Sequence, residues 1–266
     1  FKSLKTPKKT DAKLPKKSSG FNNHAAIGID IDQYSIKMVQ LSGRSLNQIQ
    51  LEKYVIVKLP KNIVQDNKIQ NHGQFVTYLQ QAYVKLNSTC KNTIPQNLAT
   101  TEQLTYTTKD TDLDLEEFVE SAISEISSLE EVNYDYQVLT PPSANQTILA
   151  VASRKDDIEP LIEAFNEAGM KLSALDVDIF GQYNAYTLWI NNFNPELTGE
   201  KVAIFGVYAT QTYALVIQNG KILYKQETPI SEKQLNQLIQ RTYQVTEEKA
   251  EEIINSPQKP SDYQET

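Results

Sequence analysis

The chain opens with an alternation of apolar and polar positions that predicts three consecutive β-strands joined by short turns. They cover residues 25–31, 36–41 and 49–59, and the last includes "LEKYVIVKL", the pattern of a half-buried strand. Apolar side chains then recur at helical spacing, at Phe75, Leu79, Ala82 and Leu86. We therefore expect a three-strand meander followed by one amphipathic helix.

A second block of the chain predicts a mixed unit of helices and strands. The strand-like "NLATTEQLTYTT" precedes an acidic helical stretch, whose apolar stripe is Leu115, Phe118, Val119, Ala122, Ile126 and Leu129. Two more strands, "YDYQVL" and "QTILAVAS", follow. In the next helix we expect a capping box between Asp156 and Glu159, a proline confined to the first turn, and an end at Gly169. "KLSALDVD" then predicts a strand and "IFGQYNAYTLWI" a helix.

The third block repeats the layout of the first. "KVAIFGVYATQTYALVIQNGKILYKQETPI" reads as strand, turn, strand, turn, strand, and Asn219-Gly220 is a strong hairpin signal because both residue types accept positive φ. Two helical stretches, "EKQLNQLIQRTYQV" and "TEEKAEEIIN", follow. The pattern thus predicts an α/β (α+β) fold class, with two copies of a β-β-β-α module separated by an inserted α+β unit.

Charge is distributed unevenly along the chain. The first seventeen residues hold seven lysines and one acid, a net charge of +6, although the whole chain carries -7. A solvated disordered tail and an arm that contacts an anionic membrane surface both fit this pattern. The acidic remainder of the chain disfavours nucleic acid as a partner.

Cysteine, histidine and hydropathy exclude several classes of protein. Cys90 is the single cysteine, so no internal disulfide forms and a reducing compartment is expected. His24 and His72 lack partners at ligand spacing, so no histidine metal site is expected. No apolar stretch is long enough for a transmembrane helix, and no signal-peptide core is present at the start. We therefore expect a cytoplasmic protein.

Four stretches, in order from about residue 24 to residue 266, resemble the PilM family of type IV pilus assembly proteins. They are "IGIDIDQYSIKMVQLS", "DLDLEEFVESAISEISSLEEVNYDYQVL", "ILAVASRKDDIEPLIEAFNEAGMKLSALDVDIF" and "PISEKQLNQLIQRTYQVTEEKAEEI". The resemblance implies a duplicated actin-like (ribonuclease H-like) core, an architecture shared with FtsA and the cytoplasmic part of GspL. It implies a first subdomain over 24–90, an inserted subdomain over 91–178 and a second, C-terminally incomplete subdomain over 179–266. The lysine-rich start of the chain predicts a basic, disordered arm over 1–23 before them.

The resemblance also implies a role and partners. PilM-like proteins bind the cytoplasmic N-terminal peptide of PilN, an inner-membrane protein, and so connect the inner-membrane alignment complex to the pilus motor. We therefore expect an adaptor at the cytoplasmic face of the bacterial inner membrane, serving pili of the kind used in twitching motility and competence. Other platform or motor proteins are further expected partners. The resemblance carries over no individual residues of the peptide groove.

The first hairpin contains the residue types of a phosphate-binding turn: a glycine, a small hydroxyl residue, a lysine and acids. Its candidate cofactor-binding residues are Gly28, Asp30, Asp32, Ser35 and Lys37. In the relatives the acid at the position of Asp30 helps to hold hydrated Mg²⁺, which makes Asp30 the candidate metal residue. Asp32 stands where the family has Gly or Ser. It would repel a triphosphate by about 1 kcal/mol in water and about 4 kcal/mol near a protein surface, unless it joins a Mg²⁺ shell or turns into solvent.

The second copy of the turn departs further from the family pattern. Phe205 and Val207 stand where an aspartate and a glycine are expected, which leaves Thr210 and Thr212 as candidate hydroxyl donors. A phenylalanine neither coordinates a metal nor orients a water. Two hypotheses follow: a non-enzymatic adaptor with a degenerate nucleotide cleft, no catalytic residues and no cofactor, or an active actin-like protein that uses Asp30, Lys37 and Mg²⁺ to hydrolyse ATP slowly.

Overall fold

The computed structural model describes residues 26–258, apart from 44, 46–47, 98, 108–112, 142, 144, 209–210, 220 and 229. The chain divides into two compact units, Phe1–Ala185 and Tyr186–Thr266. The basic arm expected over residues 1–23 lies outside the described residues. In the described part of the chain, no helix is both long and apolar enough to cross a membrane.

The first unit begins with the predicted meander and helix. Its strands and helices, in chain order, are β1 (Ile27–Ile31), β2 (Ser35–Ser42), β3 (Gln50–Lys58), β4 (Val64–Gln65), β5 (Lys68–Ile69), α1 (His72–Leu86), β6 (Asn92–Asn97), β7 (Thr100–Thr107), α2 (Leu115–Ser124), β8 (Val132–Val138), β9 (Asn145–Arg154), α3 (Lys155–Glu167), β10 (Lys171–Leu172), β11 (Asp176–Val177) and α4 (Asp178–Phe193), which continues into the second unit.

A mixed sheet organises the first core. Its strand order is β10-β6-β1-β2-β3, with β11 also paired to β6; β1, β2 and β3 are antiparallel, and β6 runs parallel to β1. Alternation places one face of this sheet against α1 and α3. The fully buried side chains of that core include Ile27, Ile36, Met38, Phe75, Leu79 and Phe165.

The inserted unit has its own small core. Strands β7, β9 and β8 form an antiparallel sheet, and α2 packs on it through Val119 and Ile123. A capping box between Asp114 and Glu117 begins α2. The helix ends at Ser124, before Ile126, so the apolar stripe predicted to continue to Leu129 is wrong over its last turn; the chain turns there through hydrogen bonds to the carbonyl of Ile123.

Helix α3 begins differently from the prediction. Arg154 is its N-cap residue and makes no side-chain cap bond, so the expected capping box between Asp156 and Glu159 is wrong. The amide of Lys155 instead donates to the carbonyl of Glu131, so pairing with the preceding turn starts the helix. Pro160 consequently lies inside the helix, beyond its first turn. Gly169 ends α3 at φ +75°, as expected for a C-terminal glycine.

The second unit repeats the meander. Strands β12 (Val202–Val207), β13 (Thr212–Gln218) and β14 (Lys221–Thr228) form an antiparallel sheet in that order, followed by α5 (Glu232–Tyr243) and α6 (Glu247–Asn255). A short 3₁₀ helix, Pro195–Leu197, precedes them. Asn219 adopts positive φ at the predicted hairpin turn. The predicted repetition of β-β-β-α is therefore present, and the fold class is mixed α/β as expected.

Candidate functional site

The turn between β1 and β2 is closed by the side chain of Asp32. Its Oδ1 atom accepts hydrogen bonds from the amides of Tyr34 and Ser35, each at 2.7 Å, and its own amide donates to the Ser35 carbonyl at 3.0 Å. The Ser35 hydroxyl also lies within hydrogen-bond distance of both carboxylate oxygens, at 3.3 and 3.2 Å. Aspartate is favoured at such a position because its carboxylate reaches the backbone two and three residues further on.

Lys37 joins the two acids of the hairpin. It lies directly opposite Asp30 across the β1–β2 pair, and its Nζ donates to Asp30 Oδ2 and to Asp32 Oδ2, each at 2.8 Å. Burial by itself would lower the pKa of Lys37, but the hydrogen bonds and charges of the two carboxylates outweigh it and raise the pKa to about 12. Lys37 is therefore a fixed cation that is committed to two internal partners.

Four of the predicted site residues thus meet at one place. Asp30, Asp32, Ser35 and Lys37 form a connected cluster with a net charge of -1. Gly28 lies one pleat away, on the same face of the sheet as Asp30, in regular strand conformation and opposite Val39. A Cβ added to Gly28 would stand 3.2 Å from Val39 Cγ1, so the space above this glycine is bounded by the next strand.

The cluster borders a groove of about 550 Å³ on the face of the sheet away from α1 and α3. Register places its side chains in rows across three strands: Gly28, Val39 and Tyr54 form one row, and Asp30, Lys37 and Ile56 form the next. Tyr54 and Ile56 are 68% and 60% exposed, although both are apolar. The groove therefore has an apolar floor and wall with a charged end.

Two further groove residues were missed by sequence reasoning. Asp176 on β11 lies beside Gln96 on β6, and both line the groove together with Asp30 and Lys37. Gly181 on α4 leaves room for the Gln96 side chain, since a Cβ there would overlap its amide nitrogen. About eighty residues separate Gln96 from Asp176, so no local pattern joins them. For the groove as a whole, the sequence offered one signal. The alternation of β3 places Tyr54 and Ile56 on the face of the sheet opposite to Val55 and Val57, and so indicates that large side chains lie on the groove face.

The second predicted turn contributes no comparable cluster among its described residues. Phe205 and Val207 on β12 are 71% and 68% exposed and pair with Ala214 and Thr212. The Thr212 hydroxyl donates to the Ile230 carbonyl at 2.7 Å, which joins β13 to the segment after β14. Thr210 lies outside the described residues.

The donors of the first turn are already engaged by side chains of the hairpin itself. The amides of Tyr34 and Ser35, the Ser35 hydroxyl and the Lys37 ammonium are the kinds of donor that a phosphate needs, and each has a hydrogen-bond partner in Asp32. Asp30, the candidate metal residue, is paired with Lys37. Within the described residues, no group of three or more His, Cys, Asp or Glu side chains is arranged to hold a metal ion.

Comparison with known proteins gives one family and a set of similar folds. A family model described as "Type IV pilus assembly protein PilM" matches residues 28–266. A solved structure described as "PilM-PilN type IV pilus biogenesis complex" aligns with a TM-score of 0.72 and 18% identity, over 86% of this chain and 68% of that one. The ethanolamine utilization protein EutJ from Carboxydothermus hydrogenoformans aligns with a TM-score of 0.51 and 14% identity, over 87% of this chain and 61% of that one. The described fold is therefore that of actin-like proteins, and the chain spans only part of the length of either structure.

Proposed function

This chain belongs to the PilM family of type IV pilus assembly proteins, and from that membership we propose that it is an adaptor that binds the cytoplasmic N-terminal peptide of a PilN-like inner-membrane protein. The family match covers most of the chain and is the observation that carries the proposal. The similar structure of a PilM–PilN complex supports a partner of this kind.

The groove beside the hairpin supports peptide binding. Its apolar wall includes Tyr54 and Ile56, whose large side chains stay exposed on the chain alone. Burying one such side chain beneath a peptide is worth about 1.5–3 kcal/mol. At the charged end, Asp30 and Asp176 outnumber Lys37, so the groove favours a segment with apolar side chains and a cationic group.

The hairpin supports the degenerate-cleft form of this proposal over an ATP-hydrolysing protein. ATP binding would require Lys37 and the turn amides to leave Asp32, and it would place a triphosphate beside a cluster with a net charge of -1. The second turn offers Phe205 in place of an acid. The protein then acts by holding partners together rather than by turning over nucleotide.

The proposed location follows from the proposed partner. A protein that holds the cytoplasmic peptide of an inner-membrane protein works at the cytoplasmic face of that membrane, where other pilus platform or motor proteins are within reach. The basic residues near the start of the chain suit an anionic lipid surface.

A direct binding measurement tests the adaptor proposal. The purified chain is titrated by calorimetry with a synthetic peptide that carries the cytoplasmic N-terminal segment of the PilN-like protein from the same organism, and a scrambled peptide of equal composition serves as control. We expect saturable binding of the native peptide and no saturable binding of the scrambled peptide. Equal binding of both peptides, or of neither at high micromolar concentration, would contradict the proposal.

A further inference from the structure

Four donors of the β1–β2 hairpin converge on one internal carboxylate. Asp32 accepts from two successive backbone amides, those of Tyr34 and Ser35, and it is within reach of the Ser35 hydroxyl and the Lys37 ammonium. Successive amides that point at one place, together with a hydroxyl and a lysine, are the donor set of an anion-binding turn. In this chain the anion is part of the turn.

We propose that Asp32 is a built-in occupant of an anion-binding turn and that its carboxylate excludes external phosphate-type anions from the site. The inference rests on the degenerate-cleft part of the proposed function, and it assigns the loss of phosphate binding to one residue, Asp32. It is independent of the peptide-binding part. Its consequence is that the turn regains affinity for phosphate groups when the charge of Asp32 is removed.

Two features of the turn exclude an external phosphate: Asp32 already uses the amide donors, and the acids of the cluster repel an anion. A carboxylate oxygen holding two amides at 2.7 Å leaves no room for a phosphate oxygen at the same donors. A phosphate that approached from the groove would also meet the carboxylate of Asp30, which lines it. Lys37 is then the one cation in the cluster, and it is shared between two carboxylates.

A site remains once Asp32 is neutral. Ser35 is buried and held by strand pairing with β3, so its backbone amide keeps its position without the carboxylate. Lys37 stays directly opposite Asp30 in the β1–β2 pair. The groove of about 550 Å³ is lined by Lys37, so the cation of the cluster faces open space.

A second role for Asp32 is purely structural: it could close the turn and do nothing else. The two roles separate in Asp32→Asn, because asparagine keeps the side-chain oxygen that accepts from the Tyr34 and Ser35 amides but lacks the charge. Asp32→Ser removes the charge and also shortens the side chain, which leaves more space for an anion. Both variants retain a residue type that is common in such turns.

The experiment titrates tripolyphosphate into the wild-type chain, Asp32→Asn and Asp32→Ser, without metal and at constant ionic strength. The amide resonances of Tyr34 and Ser35 report binding at the turn, and circular dichroism reports folding. We expect no saturable shift in the wild type and a saturable shift in Asp32→Ser, with affinity raised between about fivefold and on the order of a thousandfold. In Asp32→Asn the side-chain oxygen still occupies both amides, so we expect a smaller gain, through Lys37 alone. A double variant, Asp32→Ser with Lys37→Met, should lose most of the gain.

Two outcomes overturn the inference. One is a saturable shift of the Tyr34 and Ser35 amides in the wild type with an affinity equal to that of the variants, which would mean that Asp32 does not block the turn. The other is the absence of binding in a folded Asp32→Ser chain, in which both the charge and the side-chain oxygen that accepts from the two amides are removed. The wild-type titration stands even if one variant fails to fold. Failure of the PilN-like peptide to bind the wild type would count against the adaptor and leave this inference unaffected.

Discussion

Lys37 on β2 lies directly opposite Asp30 on β1, and the ammonium nitrogen stands 2.8 Å from a carboxylate oxygen of that acid. The same nitrogen stands 2.8 Å from Asp32 Oδ2, so one cation neutralises part of the charge of two acids at the end of a hairpin. All three side chains are partly exposed, which limits what the arrangement contributes to stability.

Replacing Lys37 by methionine should destabilise the first unit modestly. The change leaves two carboxylates facing each other without a counter-ion, and we expect the free energy of unfolding to fall by about 0.5–1.5 kcal/mol at pH 7 and low salt. Urea unfolding measures it. Lys171→Met, at an exposed position on β10, is the matched control and should change stability by less than about 0.5 kcal/mol. Equal effects of the two substitutions would show that the cluster adds nothing.

The contacts of Lys37 with Asp30 and Asp32 predict that stability depends on pH in the alkaline range. The pKa of Lys37 is raised in the folded state to about 12, above its ordinary value of 10.5. Its contribution is therefore fully present below pH 10.5 and is lost as pH rises through 12. We expect the stability difference between wild type and Lys37→Met to be constant from neutral pH to about 10 and to shrink above that. A difference that grows with alkaline pH would contradict the sign of this shift.

Substitutions in the groove should weaken peptide binding without unfolding the chain. Tyr54→Ala and Ile56→Ser remove side chains that are exposed in the free protein and that the proposed peptide would cover, so each should weaken binding by about tenfold or more. Val84→Ser is the control, because Val84 is 74% exposed on α1, which packs on the other face of the sheet. Titration calorimetry with the PilN-like peptide measures all three. Weakening by Val84→Ser alone would place the binding surface elsewhere.

Phe165 should be a major determinant of the stability of the first core. It is fully buried where α3 meets the cluster that also includes α1 and the sheet, so Phe165→Ala should cost about 3–5 kcal/mol. Phe193→Ala replaces the same residue type at a position that is 74% exposed and should cost less than about 0.5 kcal/mol. Chemical unfolding followed by circular dichroism compares the two. A small effect of Phe165→Ala would mean that α3 is not part of the cooperative core.

The predictions that failed concern how elements begin and end. The sequence around Asp156 and Glu159 matches a capping box. Helix α3 nevertheless begins earlier, at Lys155, whose amide donates a hydrogen bond to the Glu131 carbonyl. The apolar stripe through Ile126 and Leu129 suits a helix, yet α2 ends at Ser124. Capping patterns and apolar periodicity are local features of the sequence. Hydrogen bonds to backbone groups far along the chain also decide where a helix begins or ends, and the sequence does not show which groups will pair.

Periodicity alone was sufficient to predict the two β-β-β-α modules and the inserted α+β unit, because alternation and helical spacing are local properties of the chain. The family was indicated by the resemblance of four stretches of the sequence to PilM proteins. Proximity along one hairpin also brought Asp30, Asp32, Ser35 and Lys37 together in the prediction. The direction of Asp32 was left open, between a phosphate and solvent, and only the folded turn showed its carboxylate directed back at the Tyr34 and Ser35 amides. The placement of Asp176 beside Gln96 likewise required the tertiary structure, since parallel pairing joins residues that are far apart in the sequence.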